Sequence, residues 1–161
     1  MKFPSFRLAL ATLAATTLGV VVGQAPAAAA LPSDYSITVS TTFHGSGYSE
    51  SYSREFEIYS GNGAWVGTFW FQADPANGAP GDALKTCDME KDGLGTEIRM
   101  DIGSSSGFQQ TDRIASTRGM GAGYCDGWKT GDIAENTSVA LKVCLVRGTT
   151  EYCSGVYYAR T

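Results

Sequence analysis

Apolar and polar residues alternate over short runs along most of the chain, and clusters of Gly, Asn, Asp and Ser separate these runs. Alternation with a period of two places successive side chains on opposite faces of an extended strand. No window of about eleven residues has its apolar positions at helical spacing. The pattern therefore predicts an all-β protein.

Eight or nine short runs of this kind follow one another at a spacing of about 8 to 14 residues. For one domain of this size, the spacing favours a two-sheet antiparallel β-sandwich of about eight strands, with a closed β-barrel as the alternative. The proline- and glycine-containing segment at 74–82 predicts a surface connection that crosses between the sheets.

The run YSITVSTTF, residues 35–43, alternates Ile and Val with Ser and Thr, which is typical of a strand that is covered on one face. The next hairpin contains SGNG. If Asn62 and Gly63 form a type I′ turn, Phe56 lies opposite Phe69, and the residues on either side face each other in the same register. That register also places Glu55 opposite Trp70.

The stretch VCLVRGTTEYC, residues 143–153, predicts a hairpin with Gly148 and Thr149 as a two-residue loop. Cys144 then lies directly opposite Cys153 in a non-hydrogen-bonded pair, where the Cα separation suits a disulfide. The register puts the cysteines on the more polar face. The opposite, apolar face is predicted to carry Leu141, Val143, Leu145, Tyr152, Val156 and Tyr158.

The chain has four cysteines, an even number, and no CxxC pair of the kind that a structural zinc site needs. Two disulfides are therefore expected in an oxidising compartment. Four cysteines allow three connectivities, and the hairpin geometry selects one of them: Cys144 with Cys153, and Cys87 with Cys125.

The N-terminus has the pattern of a secretory signal peptide. Lys2 and Arg7 precede an apolar run, LALATLAATTLGVVVG, and the small-residue sequence APAAAA follows it. We therefore expect residues 1–30 to be removed by cleavage after Ala30. Residues 31–161 would then form a single domain without a membrane span, secreted to the extracellular medium.

Removing Lys2 and Arg7 leaves 10 basic and 16 acidic residues, so the exported domain has a net charge of −6. A surface of this sign does not attract nucleic acid or an anionic membrane without a local basic patch, and the sequence contains none. The charge balance therefore argues against both partners.

The segment DMEKDGLGTEIR contains a partial calcium-binding pattern. Asp88, Glu90, Asp92 and Gly93 match positions 1, 3, 5 and 6 of a calcium loop, but position 12 is Arg99 where a bidentate glutamate is required. The Asp-Gly pair is also an ordinary hairpin turn between two strands. Calcium is thus a secondary hypothesis, and no other cofactor is expected.

Two tryptophans are candidate binding residues. Trp70 belongs to a strand that is apolar on both faces, and Trp128 lies in the CDGWK sequence beside Cys125. An exposed, rigidly held indole can stack on a sugar or a protein partner. Packing within the protein is the alternative for both.

Catalytic residues are scarce. His44, the one histidine of the chain, lies in a Gly/Ser turn that is a poor place to hold a catalytic imidazole. The sequence singles out no carboxylate pair among its sixteen acidic residues. The glycine-rich loop RGMGAG offers Arg118 or Met120 as a residue that could be presented to a protease.

The Ala-rich leader, the strand GDALKTCD, the DGLG turn and the tail TDRIASTRG…YCDGWKTGDIAENTSVALKVCLV resemble small, functionally uncharacterised, disulfide-containing proteins secreted by Streptomyces-type actinobacteria. The resemblance covers most of residues 31–161 and implies export and compactness, but no site residue or activity. The cysteine spacing differs from that of streptomycete subtilisin inhibitors. The motifs of crystallin-like killer toxins are absent from the sequence.

These features favour a secreted, non-enzymatic binding module whose loops are held rigid by the disulfides. It could serve as an adaptor or accessory subunit of an exported toxin or antagonistic assembly, with a protein or a cell-envelope polysaccharide as partner. In this hypothesis the strand at 35–43 adds to a partner's sheet edge. The alternatives are a secreted hydrolase of polysaccharide or peptide with a carboxylate site, and a protease inhibitor.

Overall fold

The computed structural model describes residues 28–40, 52–76 and 78–161, and His44 lies outside these ranges. The described residues form ten strands and no helix. The strands are β1 (Ala29–Ala30), β2 (Ser36–Ser40), β3 (Arg54–Tyr59), β4 (Trp65–Gln72), β5 (Ala83–Asp88), β6 (Gly95–Ile102), β7 (Arg113–Ser116), β8 (Ser138–Arg147), β9 (Thr150–Cys153) and β10 (Tyr157–Arg160).

The strands form two sheets, and this confirms the all-β, two-sheet fold that the sequence predicts. One sheet has six strands in the order β1-β9-β8-β6-β7, with β10 also paired to β8, and the other has four in the order β2-β3-β4-β5. Every pairing is antiparallel except that of β1 with β9. The sheets do not close into a barrel.

Alternate residues of both sheets fill the space between them, as the period-two pattern predicts. The four-stranded sheet contributes Phe56, Ile58, Phe69, Phe71 and Leu84, and the six-stranded sheet contributes Ile98, Met100, Leu141, Val143 and Leu145, all with 0% exposure. The sheets lie close together where Gly67 of β4 faces Thr96 of β6, since a Cβ at Gly67 would collide with the threonine methyl group.

Both cysteine pairings are confirmed. Cys144 lies opposite Cys153 in the β8–β9 ladder, and the second disulfide joins Cys87 to Cys125. The first pair is on the outer face of its sheet, as predicted, yet Cys144 has 0% exposure and packs with Cys153 and Val146 in a small cluster of its own. Two disulfides are typical of extracellular proteins.

The face assignment for the end of the chain was wrong. Tyr152 lies opposite Leu145, as predicted, but in β10 it is Tyr157 that packs inward, with its ring centroid 4.9 Å from that of Phe56. Tyr158 is 45% exposed. The pairing with β8 shifts by one residue between β9 and β10, and such a shift moves every following side chain to the other face.

Two connections have roles opposite to those predicted. The segment at 74–82 joins β4 to β5 within one sheet, where the Asp82 N–H donates to the Ala73 carbonyl and closes the loop. The Asp92–Gly93 turn, which was expected to make a hairpin, carries the chain from β5 to β6 in the other sheet. The Asp92 carboxylate accepts the Leu94 N–H at 2.8 Å and shapes this crossing.

The β3–β4 hairpin has the predicted register, with Phe56 opposite Phe69 and Glu55 opposite Trp70. Its turn is not type I′, because that turn requires a positive φ at both central residues and only Gly63, at +82°, has one. The pairing next to the turn is therefore offset by one residue, and a β-bulge between Ile58 and Tyr59 restores the predicted register further along the strands.

Ala29 and Ala30 of β1 pair with Tyr152 and Cys153, so the end of the predicted leader lies along the edge of β9. Residues 1–27 lie outside the described ranges. Within the part of the chain that the structure describes, no helix is long and apolar enough to cross a membrane.

Candidate binding surfaces

The loop around Cys125 closes one edge of the four-stranded sheet. Leu84 and Lys129 exchange two backbone hydrogen bonds of 3.0 and 2.8 Å, the Asp126 N–H donates to the Thr86 carbonyl, and the disulfide joins Cys125 to Cys87 of β5. The loop therefore occupies the outer edge of β5 much as another strand would.

Asp126 ties this loop to the other sheet. Its carboxylate accepts the N–H of Ser116 in β7 at 2.9 Å and lies 2.9 Å from the Lys129 ammonium. Burial alone would raise the pKa of Asp126, but these partners hold it below its usual range. The loop is thus held by a disulfide, a backbone ladder and an ionised side chain.

Four large apolar side chains are exposed at the end of the sandwich where this loop begins. Backbone hydrogen bonds join the segments that carry three of them: the Met89 N–H donates to the Val66 carbonyl next to Trp65, and the Asp88 N–H donates to the Tyr124 carbonyl. Met120 lies four residues before Tyr124 in the same loop. The side chains are Trp65 (42% exposed), Met89 (38%), Met120 (48%) and Tyr124 (38%). We call this group the disulfide-end surface.

Two carboxylates flank Met89 of the disulfide-end surface, because Asp88 precedes it and Glu90 follows it in the sequence. Burial, followed by the charges of Asp92, Asp34 and Glu90, raises the pKa of Tyr35. Burial also raises the pKa of Asp88, and its neighbours Asp92 and Glu90 add to the rise. The acidic side chains are therefore close enough to influence one another at this end of the protein.

The calcium hypothesis receives no support from this arrangement. Among the described residues, no three His, Cys, Asp or Glu side chains converge as a metal site requires. Asp88 is 2% exposed and accepts the Glu90 N–H, and Asp92 accepts the Leu94 N–H. These bonds use the first and third predicted ligands to shape the crossing between the sheets.

Arg118 does not project from its loop. Its guanidinium donates to the Glu151 carboxylate at 2.7 Å, to Glu97 at 3.3 Å and to the Gly148 carbonyl. A residue offered to a protease has to enter the protease's pocket, and this side chain is already bound along the outer face of the six-stranded sheet. Met120, two residues on, is the exposed residue of the pair proposed from the sequence.

The carboxylates of Glu97 and Glu151 form ion pairs with the same two arginines, Arg99 and Arg118. Arg99 contacts both, at 2.6 Å for its Nε to Glu97 and 2.6 Å for a terminal nitrogen to Glu151, and Arg118 contacts both from the other side. Hydrogen bonding to Arg99 holds the pKa of Glu151 below its usual range. A general acid in glycoside hydrolysis needs a raised pKa, so the lowered pKa of Glu151 does not favour that role for it.

The sheet brings Trp70 and Trp128 together around a lysine. Lys85, opposite Trp70 in the β4–β5 ladder, places its ammonium 5.6 Å from the Trp70 ring centroid and 5.5 Å from that of Trp128. The Trp70 indole N–H donates to Glu55 at 3.0 Å. Both indoles are half-buried, and the Lys85 ammonium lies within cation–π range of both rings.

The other edge of the four-stranded sheet is β2. Among the described strands it pairs only with β3, so its second edge has no strand partner there. Val39 on this strand is 40% exposed, whereas Ile37 packs against the core. Among the described residues, therefore, the Cys125 loop closes one edge of the four-stranded sheet, and no strand pairs with the outer edge of β2.

The sequence did not single out Trp65, Met89 or Tyr124. Trp65 begins a strand that also supplies the core residues Val66, Phe69 and Phe71, and Met89 and Tyr124 flank cysteine-containing segments that predict only structure. Their exposure depends on how three segments that are distant in sequence meet in the fold. The local sequence pattern does not predict that meeting.

No protein-family model, curated protein or solved structure matches this chain. The functional argument therefore rests on the geometry of the described residues.

Proposed function

We propose that the protein is a secreted, non-enzymatic binding module that docks a partner protein on the disulfide-end surface. The observation that carries the proposal is the exposure of four large apolar side chains on backbone held by a disulfide and by ladders to neighbouring strands. Trp, Tyr and Met are enriched at protein interfaces, and Trp and Tyr dominate hot spots.

Rigidity at this end favours binding. Tyr124 is next to Cys125, and both its N–H and its carbonyl are hydrogen-bonded within the backbone. Met120 also donates its N–H to a neighbouring carbonyl, that of Thr117. Side chains on ordered backbone lose less entropy on association, so the affinity gained per contact is larger.

The charge around the surface indicates the kind of partner. Asp88 and Glu90 flank Met89 in the sequence, and burial together with the charge of Asp92 raises the pKa values of both Asp88 and Tyr35. Complementary potentials speed association and exclude partners of like charge. The partner is therefore a protein with an apolar socket bordered by Lys or Arg, and an adaptor or accessory subunit is a role that such a contact would serve.

The buried carboxylates support a structural role over catalysis. Asp101, 3% exposed, accepts the N–H groups of Gln109 and Gln110 at 2.6 and 3.3 Å. Glu97, 1% exposed, is bound by two arginines and by the Ser116 hydroxyl. Asp88 has a raised pKa, as a general acid would need, but at 2% exposure it is out of reach of a substrate.

Strand addition along β2 is a second candidate mode of binding. The specific observation in its favour is the asymmetry of the four-stranded sheet, whose β5 edge is covered and whose β2 edge is not covered by any described strand. The β2 sequence SITVS has no charged residue or proline of the kind that protects edge strands.

The experiment uses the oxidised, exported protein to capture partners from the producing organism's culture medium. Met120→Ser is compared with Ile114→Ser, because the two residues are 48% and 40% exposed and Ile114, on β7, is not one of the four residues of the disulfide-end surface. We expect the native protein to retain one partner protein. Met120→Ser should retain at least about tenfold less of this partner, and Ile114→Ser should retain as much as the native protein. Equal retention by both variants would contradict the proposal.

A further inference from the structure

Three methionines lie in the described part of the chain, and the fold places them in different environments. Met100 of β6 belongs to the core and has 0% exposure, whereas Met120 is 48% exposed and Met89 is 38% exposed. A thioether sulfur is oxidised only where the oxidant can reach it. The two accessible thioethers therefore belong to the disulfide-end surface, and the third is shielded inside the sandwich.

The backbone around Met120 leaves its side chain open on both sides. Gly119 precedes it and Gly121 follows it, so neither neighbour has a side chain that could cover the sulfur. A Cβ added at either glycine would meet no atom within 4 Å beyond its chain neighbours. Met89 instead lies between two acidic side chains. Met120 is therefore the less shielded of the two exposed methionines.

Hydrogen bonds hold Met120 in this open position. Its N–H donates to the Thr117 carbonyl at 2.9 Å. Two residues earlier, the Arg118 guanidinium donates to the Glu151 carboxylate at 2.7 Å. The exposure of the thioether is thus a property of an ordered turn that is anchored to the six-stranded sheet.

No thiol of this chain competes for an oxidant. All four cysteines lie in the described ranges and are paired in the two disulfides. In most proteins an exposed thiolate is the sulfur group that reacts first. Here the exposed methionines are the sulfur groups that an oxidant in solution reaches first.

Oxidation changes the kind of surface that Met120 presents. A peroxide transfers one oxygen atom to the lone pair of the thioether sulfur while its O–O bond breaks. The sulfur loses two electrons, and hydrogen peroxide is reduced to water. The product is a sulfoxide, whose oxygen is polar and accepts hydrogen bonds. Burying this oxygen in an apolar socket that has no donor is unfavourable.

We propose that Met120 is an oxidation site that controls docking at the disulfide-end surface, with peroxide as the oxidant. The thioether form binds the partner protein, and the sulfoxide form releases it. This inference rests on the docking function proposed above and adds its regulation. Methionine sulfoxide reductases reverse the reaction, so the change is a reversible switch.

The chemistry can be tested without a partner. The folded, disulfide-bonded protein is treated with dilute hydrogen peroxide, and peptide mapping by mass spectrometry follows the gain of one oxygen atom at each methionine. We expect Met120 to be oxidised at least about tenfold faster than the buried Met100. Similar rates at the two positions would overturn the assignment of Met120 as the oxidation site.

Two variants separate the exposed methionines in the binding test. Met120→Leu removes one sulfur and Met89→Leu removes the other, and each keeps an apolar side chain of similar volume. Each protein is oxidised, separated from the peroxide and then added to culture medium of the producing organism, so that the partner itself is not oxidised.

We expect oxidation to lower retention of the partner about tenfold or more for the native protein and for Met89→Leu, and to leave Met120→Leu unchanged. Treatment with the two sulfoxide reductases, one for each sulfoxide epimer, should restore retention. Full retention by native protein with oxidised Met120, or an equal loss in Met120→Leu, would overturn the switch and leave docking intact. If the untreated native protein retains no partner, the docking function itself is wrong, and the switch fails with it.

Discussion

Cys144 lies directly opposite Cys153 across the β8–β9 hairpin, with the two Cα atoms 4.1 Å apart. The pair encloses a sequence separation of nine residues, whereas Cys87 and Cys125 are separated by 38. The shorter bridge fixes the register of one hairpin, and the longer bridge fixes the loop that carries Tyr124.

The two disulfides should differ in their contribution to the free energy of unfolding. Loop entropy gives about 4 kcal/mol for the longer bridge and about 3 kcal/mol for the shorter one. We therefore expect Cys87→Ala/Cys125→Ala to be the less stable double variant in urea unfolding. The reverse order would show that burial of Cys144, at 0% exposure, outweighs loop length.

Stability should depend on the ionisation of Glu151. Because Arg99 holds its pKa low in the folded protein, the folded state binds fewer protons than the unfolded chain in the acid range. The stabilisation is complete above the ordinary glutamate pKa of about 4.3 and is lost as the pH falls through the lower, folded value.

Glu151→Gln should therefore have a lower unfolding temperature than the native protein at pH 7. The gap between the two unfolding temperatures should shrink below about pH 4. Thermal unfolding across that pH range measures this. Glu135→Gln, at an exposed position outside the network, is the control and should leave the pH profile unchanged. A difference for Glu151→Gln that is constant with pH would refute the electrostatic explanation.

Gly67 should be intolerant of even one added methyl group. A Cβ there would collide with Thr96 of the facing sheet, whereas a Cβ at Gly127 meets nothing within 4 Å. We expect Gly67→Ala to cost about 1–3 kcal/mol in chemical unfolding and Gly127→Ala less than about 0.5 kcal/mol. Similar values for the two variants would mean that the sheets separate easily at this point.

The β2 edge can be tested independently of the disulfide end. Val39 and Ile114 are both 40% exposed, and they lie on edge strands of different sheets. If a partner strand adds to β2, a charge at Val39 disturbs that pairing. Val39→Asp should then weaken capture of the partner about tenfold, and Ile114→Asp should not. Unchanged capture by Val39→Asp would eliminate strand addition.

Local turn chemistry explains why the hairpins were predictable. The Gly148–Thr149 loop lies between alternating runs and fixes which residues of β8 and β9 meet. At Asn62–Gly63 the turn differs from the predicted one, and the β-bulge beside Tyr59 restores the predicted register. The sheet to which a strand belongs is decided elsewhere. The crossing after β5 follows from packing of Thr86 against Thr96, whose hydroxyl oxygens are 2.8 Å apart, and no turn motif signals that contact.

The candidate site was less predictable for the same reason. The sequence identified Trp70 and Trp128 as candidate binding residues but not the lysine that contacts both rings. The position of Lys85 depends on the β4–β5 register and on the course of the Cys125 loop. The sequence identified Met120 as a residue that could be presented to a protease, and not as part of an apolar surface. The segments that carry Trp65, Met89 and Tyr124 are distant in sequence, and only the backbone hydrogen bonds of the folded chain bring them together.

Photo-cross-linking tests the central claim, docking at the disulfide end, most directly. A photoreactive phenylalanine analogue replaces either Tyr124 or Tyr158, which are 38% and 45% exposed at opposite ends, and the oxidised protein is irradiated in culture medium of the producing organism. We predict a covalent adduct with one secreted protein from position 124 and none from position 158. No adduct from position 124, or an adduct with the same protein from position 158 alone, would contradict docking at the disulfide end.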